Sequence, residues 1–93
     1  MANLSTLLGG GGIKKISYYT ETASSGTSGF TNSIAITAVD DVNKTDVVVN
    51  GFFATGNAAS EYVFLQLNST TEILYSKNLA TSVPFSVKVV EYF

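Results

Sequence analysis

Short runs of β-branched and aromatic residues recur along this chain, each closed by a cluster of Gly, Asn, Asp or Ser, and they constrain its fold more than any other feature. Such residues suit a pleated, half-buried strand, and the clusters between them supply turns. The runs fall at about 13–20, 32–39, 45–54, 61–67, 71–76 and 83–92. No window of about eleven residues carries a convincing 3.6-residue apolar repeat, so no substantial helix is expected. Strands at spacings of roughly 8–15 residues predict an all-β fold, a single-domain β-sandwich or jelly-roll-like barrel of about six to seven strands with an extended N-terminal arm.

Alternation places some faces directly. Ile34, Ile36 and Ala38 share one side of the second run, and Ser33, Ala35 and Thr37 the other. Elsewhere both sides are apolar, as in Val47-Val48-Val49, Tyr62-Val63-Phe64-Leu65 and Val87-Lys88-Val89-Val90. A lone sandwich covers only the inner face of each sheet, so a second apolar face calls for wrapping loops or another subunit. Asn50-Gly51 and Thr55-Gly56-Asn57 read as turns that tolerate positive φ, and Asp40-Asp41-Val42-Asn43 as an Asx-type turn. Asn68-Ser69-Thr70 is a tight connection that makes a hairpin of the fourth and fifth strands. Pro84 opens the last strand, where its missing N–H costs least. Thr22–Gly29, TASSGTSG, reads as a polar loop and mobile tip.

A chain of 93 residues is one domain, and a domain of that size buries a modest fraction of its surface. It contains neither Cys nor His, so disulfides and the usual structural metal sites are excluded as staples. Only 13% of residues are charged against 45% hydrophobic. With so few charges to keep copies apart, oligomerisation is the expected source of added stability. Residues 1–12 form the arm, in which Leu4, Leu7 and Leu8 make a small apolar handle ahead of Gly9 to Gly12, and residues 13–93 form the β-domain. The candidate interface residues are Leu4, Leu7, Leu8, Ile13, Tyr18, Tyr19, Tyr92 and Phe93. Tyr is expected at subunit contacts because it joins a large apolar body to a polar tip.

The same composition removes most chemistry. Five lysines, no arginine and a net charge of −2 argue against a nucleic-acid partner. The start, MANLSTLLGGGG, lacks a basic region and a long apolar run, so neither a signal peptide nor a membrane span is expected. Nucleophile–His pairs are impossible, and the seven carboxylates sit mostly in expected turns or strand edges, so no catalytic, cofactor-binding or metal site is assigned. Asp40, Asp41, Asn43 and Asp46 offer hard oxygens but lack the spacing and glycine of an EF-hand loop. Gly9 to Gly12 is not a phosphate loop, since no Lys-Ser/Thr pair follows.

Four segments carry a family resemblance: Ile13-Lys14-Lys15-Ile16 after a glycine-rich start; Ala38-Val39-Asp40 with Lys44 and Val47-Val48-Val49-Asn50-Gly51; Leu65 to Ile73; and Val83 to Phe93. In their order the chain resembles short bacteriophage and prophage virion proteins of the decoration or tail-fibre kind. It departs from that pattern at Ser17-Tyr18-Tyr19-Thr20, where small polar residues are commoner, and at Lys77, expected just after a strand. The resemblance implies a capsid decoration (cement) protein at the virion surface, made in the host cytoplasm. Its implied partners are other copies of itself, in a trimer, and the major capsid protein. The alternative is a tail-fibre, neck-fibre or adaptor component with Thr22–Gly29 toward a receptor, or a carbohydrate-binding module. No binding residue is carried over.

Overall fold

The computed structural model of the chain describes residues 12–52 and 61–93. The fold is all-β. Its strands are β1 (Ile13–Ala23), β2 (Gly26–Ala35), β3 (Thr45–Phe52), β4 (Tyr62–Ser69), β5 (Glu72–Leu79) and β6 (Val83–Tyr92), with a single 3₁₀ turn at Val42–Lys44 among the described residues. They form two three-stranded antiparallel sheets, ordered β1-β6-β3 and β2-β5-β4. The sixth and fifth strands are therefore central, and they carry the largest share of the core.

The core is one cluster drawn from both sheets. In β6 the period of two puts Val83, Phe85, Val87 and Val89 on the buried side, and in β5 it does the same for Ile73, Tyr75, Lys77 and Leu79. Ala23, Ile34, Ile36, Val39 and Val63 complete the cluster, with Val47, Val49, Leu65, Leu67 and Tyr19 packed at its margin. The rings of Tyr75 and Phe85, one from each central strand, meet edge to face with centroids 5.1 Å apart. That contact joins the two sheets.

The β4–β5 hairpin forms as expected, although its turn is Thr70-Thr71 and the extra residue Asn68 makes a register shift between Leu67 and Ser69. The Asx turn also forms: the Asp41 carboxylate accepts the Asn43 N–H at 2.9 Å and caps the 3₁₀ turn. Asn50-Gly51, by contrast, is no turn. It lies inside β3 at a register shift between Val49 and Gly51, a bulge against Ser86 of the central strand. Thr55-Gly56-Asn57 lies outside the described residues.

Thr22–Gly29 is also not a loop. Thr22 and Ala23 end β1, Gly26 begins β2, and only Ser24-Ser25 separate them as the chain crosses from one sheet to the other. Two tertiary features make so abrupt a crossing possible. Gly26 takes φ +98°, and the buried Lys77 side chain brings its ammonium to the carbonyls of Ser24, Ser25 and Gly26 at 2.6, 3.0 and 3.3 Å. A Cβ at Gly26 would meet nothing within 4 Å, so the cost of Gly26→Ala is conformational. We expect a loss of about 1–2 kcal/mol, the penalty of a left-handed backbone for an L-residue, read as a lower thermal midpoint by circular dichroism. An unchanged midpoint would show that this crossing tolerates another turn.

The second run also departs from simple alternation. Ile34 and Ile36 are buried, but Ala38 is exposed and Val39 is buried in its place. The strand ends at Ala35, and Ile36 and Val39 donate their N–H groups to Thr71 O and Thr70 O at 3.0 and 2.9 Å. Once the backbone pairs with the hairpin turn in place of a sheet neighbour, the two-residue period no longer decides which side chain points inward.

Candidate interaction surface

Register assigns every side chain of the β1-β6-β3 sheet to a face, because directly paired residues in an antiparallel sheet share one. The inward rows hold Val83, Phe85, Val87 and Val89. The outward rows run Ile13 beside Tyr92, then Ile16, Val90 and Asp46, then Tyr18, Lys88 and Val48. Lys14 is the extra residue of a register shift between Ile13 and Lys15, and the shift keeps Ile13 on the outer side with Ile16.

This outer face is apolar and open. Tyr18 is 61% exposed and Val48 43%, and Ile13 and Ile16 are exposed as well, while Val90 on the central strand is buried. Its paired rows from Ile13 to Val48 carry one cation and one anion, Lys88 and Asp46. The Tyr92 hydroxyl donates to Asp46 Oδ2 at 3.2 Å. Burial, and after it the Asp46 carboxylate, raises the Tyr92 phenol above its ordinary value.

The two chain ends of the described domain meet at the border of this face. Phe93 N–H donates to Gly12 O at 3.0 Å, continuing the β1–β6 ladder past Ile13 and Tyr92. Phe93 is exposed, and the Lys14 ammonium stands 6.0 Å from its ring centroid while pairing with Asp40. The hydrogen bond to Asp40 raises the Lys14 pKa, and the same bond lowers that of Asp40. The buried Glu91 accepts the Asp40 N–H at 3.1 Å, which ties the β2–β3 connection to the end of β6.

Ile13, Tyr18, Tyr92 and Phe93 of the candidate interface residues therefore lie along or beside one surface. Tyr19 does not. It is partly buried against the core, and its hydroxyl accepts the Thr37 N–H at 3.0 Å. Leu4, Leu7 and Leu8 lie outside the described residues. Ile16 and Val48, which are not among the candidate residues, lie on the same surface over the buried Val90, and the doubly apolar runs around Val48 and Val90 are the sequence signal for it. The other sheet also has an outward apolar pair, Tyr62 stacked on Phe64 at 4.9 Å with Phe64 59% exposed, whose directly paired residues, Asn78 and Ser76, are polar.

The carboxylates do structural work: Asp40 pairs with Lys14, Asp41 caps a turn, Asp46 accepts from Tyr92, Glu72 accepts from Asn68, and Glu91 anchors a loop. Among the described residues no group of three or more acids is placed to hold a metal ion, and no helix is long and apolar enough to cross a membrane. No family model matches the chain, and no curated protein or solved structure matches it either.

Proposed function

We propose that this chain is a non-enzymatic structural subunit, a β-sandwich whose layers are the two sheets, which assembles into a homo-oligomer and coats a bacteriophage capsid as a decoration protein. One observation carries the reading: the open outer face bearing Ile13, Ile16, Tyr18 and Val48. Apolar area removed from water contributes about 25 cal/mol per Å², so covering such a face would stabilise a domain that has no disulfide to support it. The resemblance of four segments to small virion proteins suggests the particle, and a trimer with the major capsid protein as neighbour is the proposed arrangement. The alternative of a receptor-binding fibre tip loses support, because Thr22–Gly29 is strand and tight turn. A sugar platform built on Tyr18 and Tyr19 loses support as well, since Tyr19 packs on the core.

Two measurements test this. Sedimentation equilibrium of the purified chain at micromolar concentration is expected to show a folded oligomer, and a folded monomer would overturn the assembly role. Copy number per particle, by quantitative mass spectrometry against the shell protein, is expected in the hundreds and in simple ratio to the shell. A few to a few tens of copies would move the chain to a fibre, neck or tail position, and absence from particles would remove the virion role.

A further inference from the structure

The open face has a matching segment within the same chain. Eleven residues precede Gly12, without a charged side chain, and Leu4, Leu7 and Leu8 are followed by an unbroken run of glycine. Their point of entry is given by the fold. Gly12 is held to Phe93 at the Ile13–Tyr92 end of the open face, and its φ of +66° ends the strand there. An extended chain covers about 3.3–3.6 Å per residue, so these residues span up to roughly 36–40 Å, enough to leave one domain and cross the face of another. The chemistry agrees, because a segment of leucines would desolvate little on a surface where the Asp46 carboxylate already has the Tyr92 hydroxyl and Lys88 is the one cation.

Direction separates the two possible seats. The Gly12 carbonyl is still on the β1–β6 ladder, so the chain enters from beyond the end of the sheet. To cover the face of its own domain, the segment would have to reverse within Gly9 to Gly12 and run back over Ile13. A neighbour placed beyond that end of the sheet would receive the segment without such a reversal.

We infer that the Leu4–Leu8 segment of one copy seats on the outer β1-β6-β3 face of a second copy, against the exposed Ile16, Tyr18 and Val48. Donor segment and acceptor face are different surfaces, so two copies can exchange segments reciprocally, or successive copies can pass them head to tail, which closes into a ring where the rotation between copies allows it. This inference rests on the homo-oligomer proposed above and names the contact that holds it.

The absence of native cysteine makes the test free of background. Full-length Leu7→Cys is mixed with full-length Val48→Cys, and separately with Tyr18→Cys, under mild oxidation, and disulfide-linked pairs are counted by non-reducing electrophoresis and mass spectrometry. Gln66→Cys, exposed on the outer side of the other sheet, is the control. Exchange raises the local thiol concentration, so linkage to Val48→Cys or Tyr18→Cys is expected at roughly tenfold or more above the control. Linkage no greater than the control overturns the inference. So does a disulfide that forms only within one chain of a Leu7→Cys/Val48→Cys double variant and not between mixed single variants, which would place the segment on its own face. Sedimentation of the wild-type chain separates the two failures. An oligomer without linkage leaves the assembly reading standing and removes the exchanged segment, whereas a monomer removes the assembly reading itself.

Discussion

Phe85→Ala is expected to lower stability by about 3–5 kcal/mol, the cost of emptying a buried aromatic site whose surroundings relax only partly. Phe85 is 2% exposed on the central strand of its sheet, and its ring is the one that meets Tyr75 of the opposite sheet edge to face. Removing it takes away buried apolar area and an aromatic pair worth about 0.5–1.5 kcal/mol beyond that area. Whole domains are stable by only about 5–15 kcal/mol, and one of this size belongs toward the lower end. The variant should therefore unfold at urea concentrations far below the wild-type midpoint, followed by far-ultraviolet circular dichroism at matched protein concentration. Phe64→Ala supplies the contrast, since the same substitution at a side chain 59% exposed on an outer face should leave the midpoint of the isolated domain nearly unchanged. If Phe85→Ala cost less than about 1 kcal/mol, the two sheets would not share this core.

Lys77→Met is expected to cost about 2–3 kcal/mol, in the range of a hydrogen bond to a charged group. Methionine keeps most of the apolar stem within the core but removes the ammonium that holds the Ser24, Ser25 and Gly26 carbonyls. Those carbonyls belong to exposed residues and can turn to water, so the loss falls well short of three separate bonds. Burying an ammonium has its own desolvation cost, which methionine relieves. The geometry decides between these terms: Lys77 is 4% exposed, and its three acceptors all lie on the crossing that its removal would loosen. Hydrogen exchange should report the loss locally, with faster exchange at Ala23 and at Gly26 to Ser28 than at β4. A variant as stable as wild type would mean that desolvation had offset the bonds and that the crossing is held by Gly26 and the buried Ala23 alone.

The legible parts of this fold are those with local causes. Val83, Phe85, Val87 and Val89 follow a period of two with no interruption, and their burial repeats it. The β4–β5 hairpin needs only a polar pair between two apolar runs, and Asp41 needs only an N–H two residues ahead. Of the candidate surface, Ile13, Tyr18, Tyr92 and Phe93 were visible as large apolar residues in a weakly charged chain.

What escaped the sequence depends on distant partners. Tyr18 and Tyr19 are chemical equals in the sequence, and only the pairing of Tyr18 with Lys88 and of Tyr19 with Val87 sends one outward and the other to the core. Lys77 reads as a residue just past the end of a strand, whereas it lies inside β5, where the crossing of β1 into β2 brings three carbonyls to its ammonium. TASSGTSG reads as a loop because small polar residues have weak strand preference, yet Ala23 and Gly26 are held as strand ends by neighbours more than fifty positions away, Val83 and Leu79. Composition, period and turn chemistry act within a few residues, so the sequence by itself determined that the described residues are β with no α-helix, and where most of their strands lie. Sheet membership, register and face arise from contacts between segments far apart in the chain. The tertiary structure alone therefore decided that Ile13, Ile16, Tyr18 and Val48, from two separate segments, come together on the outside of the β1-β6-β3 sheet.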